Sequence, residues 1–419
     1  MITDDTDTPE EHGPSEGASV DAVADAVSAQ TQADSVPADP TVDEEHVGEV
    51  DVNADVLSDG HLELGEGGWL GSSSWRRVNV LFGLALILGV AMAFAFNLYV
   101  DPLGISKSHR YAVQSVDGVS REAKARLMAQ MKDAPGVLLL GSSTSRNADP
   151  KTVEDLTGAP AFNAGMTAGK PVDMYAMASY AYDIWQDAPP HIVYLFDVDV
   201  TLRDTPPNGG LLTTPELWKQ FNARDKARIA TTVWRPYLSR DTLNLSWKAF
   251  RAGTPYRPVL ADALSKFRPD GFRTKDPYEG QDATARRRAE TLRYRNLIYA
   301  NDGAERLDPR GREYIKRIVA LANSEAQTPT IVVLPPHPAY RAAVLPDGYD
   351  RRREAVIRWL HQLRAEQDVR VIDMTNLSDF GGKPQDFSDH VHMTKPNMDR
   401  LMEELHNLGV LLPAGSAEG

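Results

Sequence analysis

Residues 78 to 100 form an unbroken apolar run, VNVLFGLALILGVAMAFAFNLYV, without a charge and with only Asn79 and Asn97 as polar interruptions. A run of that length needs an apolar surround, and as a helix it spans a bilayer core, for which about 20 residues suffice. One transmembrane helix is therefore expected over 76–100, with a separate piece of chain on each side. A cleaved signal peptide fits poorly. A long tail precedes the run, the run is too long, and no clear small-residue cleavage pattern follows. Arg76 and Arg77 directly precede it, which on the positive-inside rule keeps the N-terminus in the cytoplasm and the large C-terminal part outside. Lys107, His109 and Arg110 on the far flank pull against that orientation. The expected location is the cell membrane, single-pass.

The two flanks differ in kind. Residues 1–70 hold 19 of the 59 Asp and Glu residues and none of the 45 Lys and Arg residues, and no aromatic residue occurs before Trp69. The net charge of -14 thus belongs to this segment, and the remainder is mildly basic. A stretch so poor in apolar bulk does not offset its ordering entropy by burial, so 1–70 reads as a disordered acidic tail. The chain has no cysteine, which excludes disulfides, thiolate metal sites and a cysteine nucleophile.

From 105 to 419 the pattern is globular. The apolar runs Val137–Leu140, His191–Phe196, Thr330–Leu334 and Val369–Met374 read as buried parallel strands. Helical stretches Met174–Trp185, Glu313–Ala322 and Arg352–Glu366 lie among them. Such alternation argues for an α/β domain with a parallel sheet covered on both faces. Between about 203 and 300 the alternation stops. That stretch carries 19 Lys and Arg against 10 Asp and Glu, with Trp218, Trp234 and Trp247. It reads as a mostly helical insertion, either a lid for an anionic polymer or membrane surface, or solvated helices with their aromatics turned inward.

Two segments carry chemistry. After the first strand, Gly141-Ser142-Ser143 breaks abruptly into a small hydroxyl-rich turn. In a parallel sheet, ligands bind at the carboxyl ends of strands. A serine there, opening a helix, has exposed backbone N–H groups beside its hydroxyl. The same serines also suit simple helix capping. Near the far end, Asp386, Asp389, His390 and His392 precede a well-signalled helix. Thr394 caps that helix, Gly409 ends it, and Met398, Leu401, Met402 and Leu405 form its packing stripe. Asp389 and His392 are three apart, a spacing that lets the carboxylate accept from Nδ1–H and leaves Nε2 free as a base. A serine hydroxyl needs such a base. His and carboxylate also suit zinc or manganese, but the helical His-Glu-x-x-His pattern is missing and no metal is expected. A polar loop bonded only to itself is the third reading.

Together these ends resemble the SGNH (GDSL-like) hydrolase family. The resemblance spans about residues 130–410, outside the insertion. It implies a flavodoxin-like three-layer αβα fold, Ser143 as nucleophile, His392 as base and Asp389 as its orienter. Ser142 stands where the family usually has Asp. Phe162-Asn163-Ala164-Gly165 resembles the second block, making Gly165 an oxyanion donor. The third block departs: Leu195-Phe196-Asp197-Val198-Asp199 lacks the family's Asn, leaving Asn163 or Arg146 as substitutes. Arg146 is alternatively a clamp for an anionic group or a surface salt bridge. His337, between prolines after the fourth strand, either binds substrate or stiffens its loop.

The layout is most similar to the membrane-anchored branch of that family, which includes proteins like the D-alanyl transfer protein of teichoic acids and the acetylation factors of exopolysaccharides. That similarity implies a serine esterase or O-acyltransferase acting on acyl groups of a cell-envelope polymer. The acyl donor or polymer, and a membrane acyltransferase, are the implied partners. No metal or organic cofactor and no nucleic acid is implied. The rival expectation is a non-catalytic module that binds an envelope glycan or a membrane partner.

Overall fold

The computed structural model describes residues 72–106, 110–111, 119–204, 209–255, 259–274, 280–300 and 303–412. The acidic tail expected over 1–70 lies outside them, as do Lys107 and His109.

Helix α1 (Ser72–Val100) contains the apolar run and is long and apolar enough to cross a membrane. Its side chains Leu81, Phe82, Leu86, Ile87 and Met92 are each more than half exposed. Cover begins at Ala93, and Asn97, Val100 and Asp101 are buried. The helix therefore runs into the globular domain without a free linker. A cut at 105 would strip this last turn from its packing.

Past α1, the chain forms α2 (Val119–Gln130), β1 (Val137–Gly141), α3 (Pro150–Thr157), β2 (Ala161–Asn163), α4 (Pro171–Ile184) and β3 (His191–Phe196). The insertion supplies α5 (Gly210–Thr213), α6 (Pro215–Trp218), α7 (Ala223–Trp234), α8 (Arg240–Ala252), α9 (Val259–Ser265) and α10 (Ala283–Tyr294), the last continuing as a π-helical stretch over Arg295–Ala300. Then come α11 (Pro309–Ser324), β4 (Thr330–Val333), α12 (Pro338–Val344), α13 (Tyr349–Glu366), β5 (Arg370–Asp373) and α14 (Lys395–Asn407).

The five strands form one parallel sheet in the order β2-β1-β3-β4-β5. All four expected apolar runs lie in it. Strand β2, only three residues long, is too short to announce itself by periodicity. Alternation sorts the strand residues onto two faces. Leu138, Leu140, Ile192, Tyr194 and Ile331 join one core with α4, α11 and α13. Val137, Leu139, Val193, Leu195 and Val332 join a second core with Val153 of α3 and the Met398, Leu401, Met402, Leu405 stripe of α14. Each face thus has its own layer of helices, which is why the strands read as continuous apolar runs.

The described part of the insertion is mostly helical, as its lack of a strand pattern suggested, and it is bolted to the sheet through contacts at β2 and β3. At the outer edge of β2, the Asn163 backbone N–H donates to Asp270 O at 2.9 Å, and the buried Lys124 ammonium donates to both Asn163 O and Gly271 O. Gly271 has φ +80°, and a Cβ there would meet Asn163 O at 2.4 Å, so only glycine permits this approach. At the exit of β3, Asp199 accepts from Tyr299 Oη at 2.7 Å and Tyr340 Oη at 2.6 Å. The fully buried Arg352 donates to Val198 O and Asp199 O. The Leu195–Asp199 segment, which lacks the Asn that the resemblance would call for, does structural work here. Asp197 ends the strand by accepting from the N–H groups of Asp199 and Val200, and Asp199 ties the insertion to α12 and α13. Burial, with the Asp197 charge adding, raises the Asp199 carboxyl above its usual range.

Candidate active site

Ser143 and His392, 249 residues apart in sequence, meet at the carboxyl edge of the sheet. Ser143 Oγ lies 2.8 Å from His392 Nε2, and His392 Nδ1 lies 2.6 Å from Asp389 Oδ2. The local geometry explains each position. Strand β1 ends at Gly141, and the chain turns at once into a 3-10 turn over Ser143–Ser145. Ser142 is the cap of that turn: its hydroxyl accepts from Thr144 N and bonds the Thr144 hydroxyl at 2.9 Å. The neighbouring serines divide two tasks, so capping occupies Ser142 and leaves the Ser143 hydroxyl for His392. A Cβ at Gly141 would meet Ser145 Oγ at 2.5 Å and Leu195 O at 2.8 Å, so the turn needs glycine for closeness to β3.

The Asp389–His392 loop is held as rigidly. Ser388 N donates to His392 O at 2.9 Å and Thr394 N to Asp386 O at 3.0 Å, closing the loop on itself. Buried Asn397 donates to Lys383 O and Asp386 O, and Asp386 pairs with Arg400 at 2.7 Å. Thr394 holds the cap position of α14 without a hydroxyl bond to its backbone. Asn147 Nδ2 donates to Met393 O at 2.7 Å, tying the Ser143 segment directly to the residue after His392.

Asp389 is 1 % exposed and accepts four hydrogen bonds. Oδ1 takes the N–H groups of Val391 and His392, each at 2.9 Å; Oδ2 takes His392 Nδ1 and Arg286 Nη2, the latter at 3.2 Å. Burial alone would raise its pKa. The charges and hydrogen bonds of His392 and His390 outweigh burial and hold the carboxyl well below its usual range. An ionised Asp389 fixes the imidazole with Nδ1–H donated and Nε2 facing the serine. Arg286 comes from α10 of the insertion. It sits in the run Arg286-Arg287-Arg288, where no spacing signal separates a site arginine from a solvated one, so sequence reasoning missed it.

No family model matches this chain, and no curated protein matches it in sequence.

The remaining site expectations fare differently. Asn163 is buried, and both hydrogens of its amide are already donated, to Ser145 O at 3.0 Å and Ala148 O at 2.7 Å. Its Oδ1 takes the Gly165 N–H at 2.7 Å. Asn163 and Gly165 thus satisfy each other and the backbone that follows Ser143, and neither directs a spare donor at Ser143 in this conformation. Gly165 is still required by contact, since a Cβ there would meet Ser145 Oγ at 2.2 Å. Arg146 is buried beside the Ser143–Ser145 turn, not on a helix surface, and its N–H closes that turn onto Ser143 O. His337 is the N-cap of α12: its Nδ1 accepts from Ala339 N at 3.0 Å and its ring lies edge-on to Phe387. Burial first, then the Arg287 charge, lower its pKa to about 4. It is a neutral capping residue in this conformation, which accounts for its place between prolines. His390 is buried edge-on against Tyr294 and Tyr340, with Nδ1 3.5 Å from Asp389 Oδ1. Among the described residues, no three His, Asp or Glu side chains gather closely enough to hold a metal ion.

Proposed function

We propose that this protein is a membrane-anchored serine esterase or O-acyltransferase working through Ser143, His392 and Asp389. The observation that carries the reading is the unbroken relay of two hydrogen bonds, Ser143 Oγ to His392 Nε2 and His392 Nδ1 to Asp389 Oδ2. Neutral His392 accepts the Ser143 proton as Oγ attacks an acyl carbonyl, and Asp389 stabilises the imidazolium that forms. The carbonyl oxygen takes the negative charge. The Ser143 N–H, which opens the turn and has no intrahelical acceptor to serve, is the donor we assign to it. Collapse expels the alcohol, which takes the proton from His392 and leaves an acyl-serine. Water or a sugar hydroxyl then attacks the acyl group, and its proton passes through His392 back to Ser143.

The strand order supports an SGNH-type assignment, because 2-1-3-4-5 is the flavodoxin-like order. The nucleophile after β1 and the Asp-x-x-His pair before the last helix fit it too. The apolar helix α1 and Arg76-Arg77 support an anchored protein with a cytoplasmic N-terminus and an outward-facing domain. The resemblance to the membrane-anchored branch implies an acylated envelope polymer or its acyl donor as the substrate class, with a membrane acyltransferase as a partner.

The test is covalent labelling of the full chain in detergent by a fluorophosphonate, beside Ser143→Ala and His392→Ala. Labelling lost in both variants supports an activated Ser143. A folded wild type that takes no label refutes a self-sufficient serine hydrolase and favours a glycan- or partner-binding module.

A further inference from the structure

The insertion and the apolar helix meet in a way that neither acyl chemistry nor the fold requires. Counting from Val78, the helix rises about 30 Å, the thickness of a hydrocarbon core, by the time it reaches Asn97. At that level the insertion takes hold of it. Asn97 Nδ2 donates to Tyr237 O at 2.8 Å, Ser246 Oγ donates to Asn97 Oδ1 at 2.7 Å, and Tyr237 Oη donates to Asp101. Phe96 packs on Trp247 and Phe250 of α8 with ring centroids 6.5 Å and 5.8 Å away.

Four large side chains around this joint are turned outward. Leu238 is 62 % exposed, Trp247 53 %, Tyr99 43 % and Phe250 42 %. Trp247 and Phe250 lie stacked, and the Arg110 guanidinium sits 4.4 Å above the Tyr99 ring. Tyr99 belongs to α1 itself, and Phe96 of α1 joins Trp247 and Phe250 to that helix through ring contacts. The polar side of α8 is basic: Arg240, Lys248 and Arg251 are exposed, and Asp241 is its single acid.

We propose that α8 and the Tyr237–Leu238 turn lie in the headgroup region of the same bilayer that α1 crosses, forming an interfacial collar around the helix. The partner is a lipid interface containing anionic phospholipid. Aromatic rings favour that depth, and lysine and arginine stems cover apolar surface while their charges reach phosphate. The collar fixes the tilt and height of the domain, so the site opens at a set distance above the membrane. The inference rests on α1 spanning a bilayer and is independent of the acyl chemistry.

The chain has no cysteine, so single-cysteine variants of the full protein label cleanly. Leu238→Cys and Trp247→Cys, with Ser324→Cys at the exposed end of α11 and Leu86→Cys within α1, are labelled with an environment-sensitive fluorophore. They are then reconstituted into phosphatidylcholine–phosphatidylglycerol vesicles. Lipids carrying a nitroxide near the headgroup should quench the labels at 238 and 247 several-fold more than the label at 324, and lipids carrying it deep on the acyl chain should quench the label at 86. Leu238 is the check on Trp247, whose ring takes part in packing. Labels at 238 and 247 that respond like 324, or that are shielded from lipid and aqueous quenchers alike, overturn the collar while quenching at 86 keeps α1 in the bilayer. No lipid quenching at 86 overturns it by removing the spanning helix itself.

Discussion

Replacing Asp389 by Asn removes one charge and adds one pair of hydrogens, and the structure dictates where those hydrogens go. Oδ1 holds two backbone N–H groups at 2.9 Å, so the Asn carbonyl oxygen must stay there to keep the loop closed. Its NH2 then occupies the Oδ2 position, facing His392 Nδ1 and Arg286 Nη2, both donors in the native site. His392 escapes the clash by moving its proton to Nε2. An Nε2–H donates to Ser143 and is unable to accept from it, so the base is lost although no side chain has moved. A wrong tautomer of this kind costs about ten-thousand-fold in a serine triad, or roughly 5 kcal/mol of transition-state stabilisation. The assay is the second-order rate of fluorophosphonate labelling at neutral pH, with the thermal midpoint as the control for folding. A folded Asp389→Asn protein that labels within about tenfold of wild type would refute the idea that Asp389 sets the tautomer.

Other consequences are more modest. Arg286→Gln should slow labelling by no more than about tenfold, or 1.4 kcal/mol, because Asp389 retains three other hydrogen bonds; a loss as deep as that of Ser143→Ala would place Arg286 in the chemistry. Gly165→Ala should lower the thermal midpoint through an overpacking cost of about 1–3 kcal/mol, since the new Cβ meets Ser145 Oγ at 2.2 Å. Adding Ser145→Ala should return most of that loss, and additive destabilisation would contradict the contact. His191, fully buried at the start of β3, has its pKa lowered from 6.5 to about 4, chiefly by burial. Its native form resists protonation while the unfolded chain accepts it, so stability falls as pH drops from 6.5 towards 4. By about pH 5 the loss is at most roughly 2 kcal/mol, read from urea midpoints at about pH 7 and about pH 5. His191→Phe should flatten that difference, and an unchanged slope would assign the acid sensitivity elsewhere.

Much of the architecture was legible because its signals are local. Four apolar runs bounded by polar turns became four strands, and the Met398–Leu405 stripe faces the sheet as its spacing required. The apolar run 78–100 specified a helix by length alone. The Asp389–His392 pair was legible from its own spacing, whereas its pairing with Ser143 was expected only from the resemblance of the two segments to SGNH hydrolases; the structure brings the three side chains together.

Three features needed the tertiary structure. Arg286 reaches Asp389 from an insertion whose arginines look alike in sequence; only the docking of α10 chooses one of them. Asn163 carries the same amide whether it faces a substrate or the backbone, and here the close approach of Ser145 and Ala148 claims both its hydrogens. The end of α1 reads as part of an uninterrupted span, yet Asn97 and Asp101 are taken up by Ser246 and Tyr237 more than a hundred residues later. Local pattern fixes what a segment becomes, because backbone sterics and apolar periodicity act over a few residues. Which polar atom meets which is decided by long-range packing, because a buried donor takes whichever acceptor the assembled fold brings within about 3 Å.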